Sequence, residues 1–427
     1  MASQVYRQLE DRGFIYQATH ERELQEKLAA SPQTFYIGFD PTADSLHVGS
    51  LIPIVAMMHM QRAGHRPIAV LGGGTAMVGD PSGKTEMRQL LTREAIDQNG
   101  VGIRRQLERF LKLGDDQGLL VNNADWLERL TYIDFLRDIG RHFSVNRMLT
   151  AESYRQRLES GLSFIEFNYM LLQAYDFHIL HRDYQCTIQM GGQDQWGNIV
   201  AGIELIRRLE GKEAYGITFP LLTTASGEKF GKTAAGAVWL DEKRTSVYDF
   251  YQFWRNCEDG EAGRLLRLFT FLPLEEIADL EKLKDQHINR VKEILAFEVT
   301  AMVHGHQKAA EAYQAAVRQF GAADPDNRVK TSSAITSINL SDSTDSLPQT
   351  TLSKQELEKG VTLVELFLKT GLCASKGQAR RLLQQGGGYC NDARVAADRE
   401  ITPDDFAGGQ LMLRAGKKRY HRVVLAS

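Results

Sequence analysis

Short apolar runs closed by glycine or proline alternate along this chain with longer stretches in which apolar residues recur every three or four positions. Residues 34–40 (Thr-Phe-Tyr-Ile-Gly-Phe-Asp) are a run of the first kind and predict a buried strand, followed by a polar turn over 41–45. From His47 the pattern changes: Val48, Leu51, Ile52 and Val55 recur at helical spacing until Gly64. Residues 67–71 form a second apolar strand, stopped by Gly72, Gly73 and Gly74. Strand, helix and strand in succession make a βαβ unit, which implies a parallel sheet that binds ligands at the carboxyl ends of its strands. Further strands are expected at 185–189 and 216–222.

Residues 126–182 read as mostly helical, with Leu127, Leu130, Ile133, Leu136, Ile139 and Phe143 in one apolar series. That series fits either a core-facing helix or a subunit interface. Residues 246–323 are again helical. Over 331–353 the composition shifts: twelve of 23 positions are Ser or Thr and none is aromatic. A stretch so poor in core-forming side chains reads as a linker. The remainder, 360–427, holds eleven basic residues against six acidic ones, although the whole chain carries a formal net charge of -3. A basic appendage on an acidic body points to a nucleic-acid partner. It also excludes a chain that wraps nucleic acid over its full length.

At 427 residues, 43% hydrophobic and 25% charged, the chain is neither disordered nor fibrous, and its length suggests two to four domains. No run approaches the roughly 20 apolar residues that span a bilayer, and the first residues, with Arg7, Glu10 and Asp11, lack a signal-peptide core. No membrane association is expected. Four cysteines lie far apart, which argues against a zinc site and for reduced thiols in a cytoplasmic protein.

Three loops carry candidate chemistry. Gly-Asp-Pro-Ser-Gly-Lys-Thr at 79–85 suggests a P-loop, but the first glycine of that motif would fall on Val78, so the cradle of amides does not close. Lys84 and Arg88 can still meet phosphate by charge. At 40–50 a strand ends and His47 and Gly49 open a helix, where free amides and the helix dipole favour an anion. Gly49 would let a nucleotide lie against the backbone. At 227–233, Gly-Glu-Lys-Phe-Gly-Lys-Thr makes a flexible basic loop with Lys229 and Lys232. Each loop is weak alone.

Together, the second and third loops resemble the HIGH and KMSKS signatures of class I aminoacyl-tRNA synthetases, with Ser50 in place of the last His, and Phe230, Gly231 and Thr233 departing from the second motif. Residues 36–40, then 168–176 (Asn-Tyr-Met-Leu-Leu-Gln-Ala-Tyr-Asp), then 189–198 (Gln-Met-Gly-Gly-Gln-Asp-Gln-Trp-Gly-Asn) resemble the bacterial-type tyrosyl-tRNA synthetases over most of 1–325. Residues 375–381 (Ser-Lys-Gly-Gln-Ala-Arg-Arg) resemble the S-four-like RNA-binding domain that this family carries at its carboxyl end.

The resemblance implies an α/β fold: a Rossmann-like parallel-sheet catalytic domain over 1–245 with a helical insertion at about 126–182, an α-helical domain over 246–325, a linker over 326–359 and a small α+β RNA-binding domain over 360–427. Tyr169, Gln173 and Asp176 share one helix face in an otherwise apolar helix, and a buried polar stripe needs a partner. The family supplies free L-tyrosine. Tyr36 and Asp176 would grip its phenol, Tyr169, Gln173 and Asp80 its ammonium, and Gln195 its carbonyl. Phenylalanine would leave Asp176 buried and unpaired, so no editing domain is expected. For ATP, Gly38, Gly49 and Gly192 would admit adenosine, Asp194 would accept from the ribose, Ser50 would donate to ribose or phosphate, and Asp40 and Asn123 would fix groups around the adenylate. Thr42, His47, Lys84, Arg88, Lys229, Lys232 and Thr233 would meet the phosphates as charge develops on the leaving pyrophosphate. Mg²⁺ would arrive with ATP. The family further implies a homodimer through the insertion, and tRNA(Tyr) bound with help from Lys376, Arg380, Arg381, Lys417, Lys418 and Arg419.

Competing readings make distinct demands. A non-catalytic RNA-binding protein on the same fold would have damaged catalytic positions, yet Asp176, Asp194, Gln195, His47 and Lys232 persist. A tryptophanyl relative would not need Tyr36 and Asp176 together, and a generic ATPase fails on the P-loop spacing.

Overall fold

Apolar residues on both faces of successive strands demand cover on both sides, and parallel strands joined by helices provide it. The computed structural model describes residues 3–82, 91–114, 116–158, 161–223, 230–233, 236–325, 328–339, 348–391, 393–406, 409–416 and 419–426. Its first sheet contains β1 (Gln17–Ala18), β2 (Thr34–Phe39), β3 (Arg66–Leu71), β4 (Leu119–Asn122), β5 (Cys186–Gly192) and β6 (Tyr215–Phe219). The spatial order is β1-β6-β5-β2-β3-β4. The five longer strands run parallel, and β1 pairs antiparallel at one edge. After β2 the chain moves to one side, to β3 and β4. After β5 it moves to the other, to β6. Strand order therefore reverses between β2 and β5, and the crevice outside their carboxyl ends is where such sheets bind ligands.

The helix Leu51–Arg62 follows β2 and buries Leu51, Ile52, Ile54, Val55, Met57 and Met60. Its Pro53 sits in the first turn, where a missing N–H costs nothing. The helix Tyr169–Tyr184 feeds β5 and packs against Trp196–Glu210. Phe177 and Leu180 are fully buried with Tyr36, Ile68 and Ile206, each such burial contributing roughly 1.5–3 kcal/mol.

Strands expected at 34–40, 67–71, 185–189 and 216–222 are present within a few residues, and β1 and β4 add two more. The single apolar series over 126–182 breaks up. Short helices Ala124–Leu127, Tyr132–Asp138, Val145–Met148, Glu152–Leu158 and Phe164–Phe167 precede Tyr169–Tyr184. Phe135 and Ile139 enter a core with Met148, Tyr154 and Leu171, whereas Ile133 is 68% exposed and Leu136 37%. Six residues chosen at helical spacing thus face different ways because the helix they imply is interrupted.

By its contacts the chain divides into residues 1–244 with 257–291, and 245–256 with 292–427. The stretch 246–325 is therefore not one helical unit. In the first part, buried Arg12 donates to the carbonyls of Arg267, Thr270 and Leu272, satisfying the end of the helix Ala262–Phe269. In the second part, helices Val247–Arg255 and His306–Phe320 pack together.

The second part also holds a five-stranded sheet of β9 (Gln349–Leu352), β10 (Gly388–Cys390), β11 (Ala393–Val395), β12 (Gln410–Ala415) and β13 (Arg419–Leu425), in the order β11-β10-β12-β13-β9. β9 pairs parallel to β13, and Leu352 is fully buried with Leu363, Phe367, Leu383 and Leu413. The expected linker 326–359 therefore ends sooner: its last dozen residues supply an edge strand and a core side chain. Serine and threonine misled there because β9 needs one buried residue in four. No helix among the described residues is long and apolar enough to cross a membrane.

Candidate active site

Two cavities adjoin at the carboxyl ends of β2 and β5. One, of about 230 Å³, is lined by Tyr36, Thr75, Asp80, Asn123, Tyr169, Gln173, Asp176, Gln189 and Gln195 among others. The second, of about 520 Å³, is lined by Thr42, His47, Gly49, Ser50, Asp194, Leu222, Phe230, Gly231 and Trp239 among others. Gly38, Asp40 and Gly192 belong to the walls of both.

Asp176 lies at the smaller cavity and is 4% exposed. Its Oδ1 accepts from Trp126 Nε1 at 2.7 Å and its Oδ2 from Asn123 Nδ2 at 2.9 Å. Burial pushes its carboxyl up to about 7; the two donated hydrogen bonds pull the other way, and Asp40 adds to the rise. The hydroxyl of Tyr36, also buried, has no hydrogen-bond partner, and burial followed by the nearby Asp176 charge raises its pKa well above that of a free phenol. This changes the expected account of selectivity. Asp176 is not left bare when the cavity lacks a phenol, since Trp126 and Asn123 already hold it; the orphaned group is the Tyr36 hydroxyl. Asn123, on the wall of the smaller cavity, is 1% exposed, accepts from Gly74 N and donates to Thr75 Oγ1 and Asp176, so it braces the acid.

The rest of the stripe is tied into a second network. Tyr169 donates its hydroxyl to Asp40 Oδ2 at 3.1 Å, and Thr75 donates to Asp40 Oδ1 at 2.9 Å. Asp80 accepts from Ser82 N at 2.8 Å and from Gln195 Nε2 at 2.7 Å. Asn198 Nδ2 donates to both Gln195 Oε1 and Gln173 Oε1, at 3.0 and 3.1 Å. Fixing both side-chain amides through one buried asparagine leaves their orientation little freedom. Tyr36, Asp80, Tyr169, Gln173, Asp176 and Gln195 are thus gathered in one cavity.

One residue of this cavity, Gln189, and two that bond to its lining residues, Asn198 and Trp126, escaped sequence reasoning. Asn198 closes the 189–198 motif, and Gln189 is a polar residue in an apolar strand, paired in register with Tyr36; its Oε1 is buried without a partner. Either could have been noticed. Trp126 gives no local signal, because its partner is 50 residues away.

At the larger cavity His47 caps the turn Val48–Ser50, with Nδ1 accepting from Gly49 N at 3.0 Å. In the neutral ring this leaves Nε2 as the donor. A Cβ on Gly49 would come within 2.8 Å of His47 Cε1. A side chain there would push the imidazole off its hydrogen bond to Gly49 N. Gly231, at φ +86°, packs on the same turn: a Cβ would fall 2.3 Å from Val48 Cγ2. Its expected loss of a serine hydroxyl is thus accompanied by a steric reason for glycine. The Phe230 ring stacks on Phe269. Lys84, Arg88 and Lys229 lie outside the described residues, as do the side chains of Lys232 and Thr233, whose backbone forms β7 (Lys232–Thr233) against β8 (Gly236–Ala237).

In the carboxyl-terminal sheet domain, Arg380 and Arg381 are exposed on the helix Lys376–Gln384. Lys376 pairs with Glu365 at 2.9 Å, and Arg419 donates to the carbonyls of Gly371 and Leu372, a local structural task. Lys417 and Lys418 lie outside the described residues.

A family model described as tRNA synthetases class I (W and Y) matches residues 28–321, and one described as the tyrosine–tRNA ligase SYY-like C-terminal domain matches 339–423. A tyrosine–tRNA ligase of Desulfosudis oleivorans is 56% identical over 426 residues, 98% of either chain. One of Acetivibrio thermocellus is 53% identical over 424 residues, 99% of this chain and 100% of the relative. Among solved structures, a C-terminally truncated mitochondrial tyrosyl-tRNA synthetase of Aspergillus nidulans has a TM-score of 0.66 at 28% identity, covering 74% of this chain and 94% of that one. With matches that run from the parallel sheet through the terminal domain, the chain belongs to the tyrosine–tRNA ligase family of class I tRNA synthetases.

Proposed function

We propose that the smaller cavity binds L-tyrosine, the larger binds Mg²⁺–ATP, and the seam between them is where tyrosyl-adenylate forms. The observation that carries this reading is a buried carboxylate, Asp176, held ready by Trp126 and Asn123 in the same cavity as the unpartnered Tyr36 hydroxyl. A phenol satisfies both: it donates to Asp176 and accepts from Tyr36. At the other end the ammonium meets Asp80, Gln173 and Tyr169, and Gln195 orients the carboxyl group.

The tyrosine carboxylate is already a nucleophile, so no general base is needed for its attack on the α-phosphorus. Charge grows on the departing pyrophosphate, and groups that bind it more strongly as it grows accelerate the step. Thr42 and His47 stand on the larger cavity for that purpose, and Lys84, Arg88, Lys229 and Lys232 join them. Gly38, Gly192, Gly49, Ser50, Asp194 and Thr233 hold the nucleoside and its phosphates. In the second step a ribose hydroxyl of the 3′ adenosine of tRNA(Tyr) attacks the tyrosyl carbonyl and AMP leaves. A further cleft of about 450 Å³, with Arg147, Trp196 and Arg208 on its wall, shares Asp194 with the nucleotide cavity and suits the acceptor end. Arg380 and Arg381, an exposed basic pair of the terminal domain, would meet the rest of the tRNA.

Tyr132, Ile133, Val145, Phe164 and Ile165 are exposed apolar residues on the short helices after β4. Their exposure supports a homodimer formed through these helices, working in the cytoplasm where tRNA is charged. Tyrosine-dependent exchange of pyrophosphate into ATP tests the reading: exchange with tyrosine alone is expected, and exchange with no amino acid, or equally with phenylalanine, would contradict it. Removing residues from 340 onward should preserve exchange and abolish tRNA charging. Sedimentation of Ile133→Asp should show a monomer where the parent chain is a dimer.

A further inference from the structure

The turn that carries His47 is sewn to the segment that follows the basic loop. Val48 N donates to Val238 O at 3.0 Å, Leu240 N donates to Leu46 O at 2.9 Å, and His47 bridges antiparallel to Trp239. The side chains repeat the pairing. The Trp239 and His47 rings meet edge to face, centroids 6.2 Å apart at 72°. The guanidinium of Arg244 lies 4.3 Å from the centre of the Trp239 ring and forms an ion pair with Asp44 at 2.7 Å. Asp44 lies three residues before His47, so the clamp closes on the segment it began from.

His47 itself is exposed. An exposed imidazole swings about its side-chain bonds unless neighbours back it, and a donor that swings is a poor stabiliser of a transition state. The geometry points to Trp239 as the positioning residue for His47. Its indole, braced by Arg244 and Asp44, backs the imidazole so that Nδ1 stays on Gly49 N–H and the ring keeps its place on the wall of the nucleotide cavity. Trp239 lines that cavity but its task is to hold the ring. Cation–π and ion-pair contacts at exposed sites are individually weak. Their loss should therefore register in rate, through orientation, more than in stability.

The inference rests on His47 serving the leaving pyrophosphate, and the test separates the two. Trp239→Leu should lower kcat for tyrosine-dependent ATP–pyrophosphate exchange about tenfold with KM for tyrosine within about twofold. Trp239→Phe, which keeps an aromatic edge, should recover most of that loss, and Arg244→Gln should cost about threefold. In a His47→Asn background, Trp239→Leu should have no further effect on kcat. A full tenfold loss in that background would overturn the positioning role while leaving His47 in place. An unchanged kcat for His47→Asn alone would remove both. A Trp239→Leu protein whose KM for tyrosine rises in step with its fall in kcat would show a merely structural residue and overturn the inference.

Discussion

The two adjoining cavities are built on opposite plans. In the tyrosine cavity most recognising groups are already bonded to another part of the chain, Asp176 to Trp126 and Asn123, Gln195 to Asp80 and Asn198, Tyr169 to Asp40, while the buried Tyr36 hydroxyl has no partner. In the nucleotide cavity Thr42 and His47 are exposed and stand on short turns. A pocket that must reject a ligand for lacking one hydroxyl needs polar groups that cannot relax into other partners. A pocket that must stabilise charge appearing only during reaction needs donors aimed at the place where that charge develops. Selection and rate enhancement are thus placed in different environments a few residues apart.

The largest effect expected of breaking this contrast comes from Asp176→Asn. One of its two donors, Trp126 or Asn123, then faces an N–H, and the phenol loses a charged acceptor. The preference for tyrosine over phenylalanine should fall at least about a hundredfold in exchange kinetics, with little loss of melting temperature. Unchanged preference would take Asp176 out of the recognition site.

The second effect is on pH. A phenol donating to Asp176 favours its ionised form, whereas in the free protein burial holds the carboxyl near 7. Tyrosine affinity should therefore weaken as pH falls below about 7, approaching tenfold per pH unit, with nearly one proton released per tyrosine at pH 6 in calorimetry. The stability of the free fold runs the other way. Between the ordinary aspartate value and about 7 the folded state binds a proton that the unfolded state does not, so stability falls as pH rises through that window. The integral is on the order of 4 kcal/mol. Asp176→Asn should flatten that slope, and Trp126→Phe, by removing one donor, should move the midpoint of tyrosine binding upward.

Tyr36→Phe should be smaller and opposite in its two readouts. It removes a buried hydroxyl without a partner, so the free protein gains about 1 kcal/mol, seen as a higher melting temperature, while tyrosine binding weakens about five- to tenfold. Ser50→Ala sharpens the comparison from the other side. It should leave the dissociation constant of tyrosine unchanged and slow ATP-dependent exchange by a few fold.

Sequence patterns predicted the strands at 34–40, 67–71, 185–189 and 216–222 because each is an apolar run bounded by chain-breaking residues. β4 was not read as a strand: its apolar run, Leu119 to Val121, is only three residues long, too short to tell a strand from a loop by pattern alone. The apolar series from Leu127 to Phe143 does not form one helix because Thr131 starts a new one by accepting a backbone N–H, as Ser163 does further along. The tyrosine stripe was legible since polar residues at positions 169, 173 and 176 interrupt an apolar helix. The way Asp176 is satisfied was not.

What the chain alone determined is local and periodic: which segments alternate as strand and helix, where glycine and histidine open a helix at a strand end, and which face of one helix is anomalously polar. These follow from backbone sterics and from the spacing of apolar side chains, which act over a few residues. Only the folded molecule decided that Trp126 and Asn123 meet Asp176, that Asn198 joins Gln173 to Gln195, and that Trp239 stands against His47. Each of those pairings closes a loop of chain whose ends are brought together by sheet order and packing, and no spacing along the sequence encodes it.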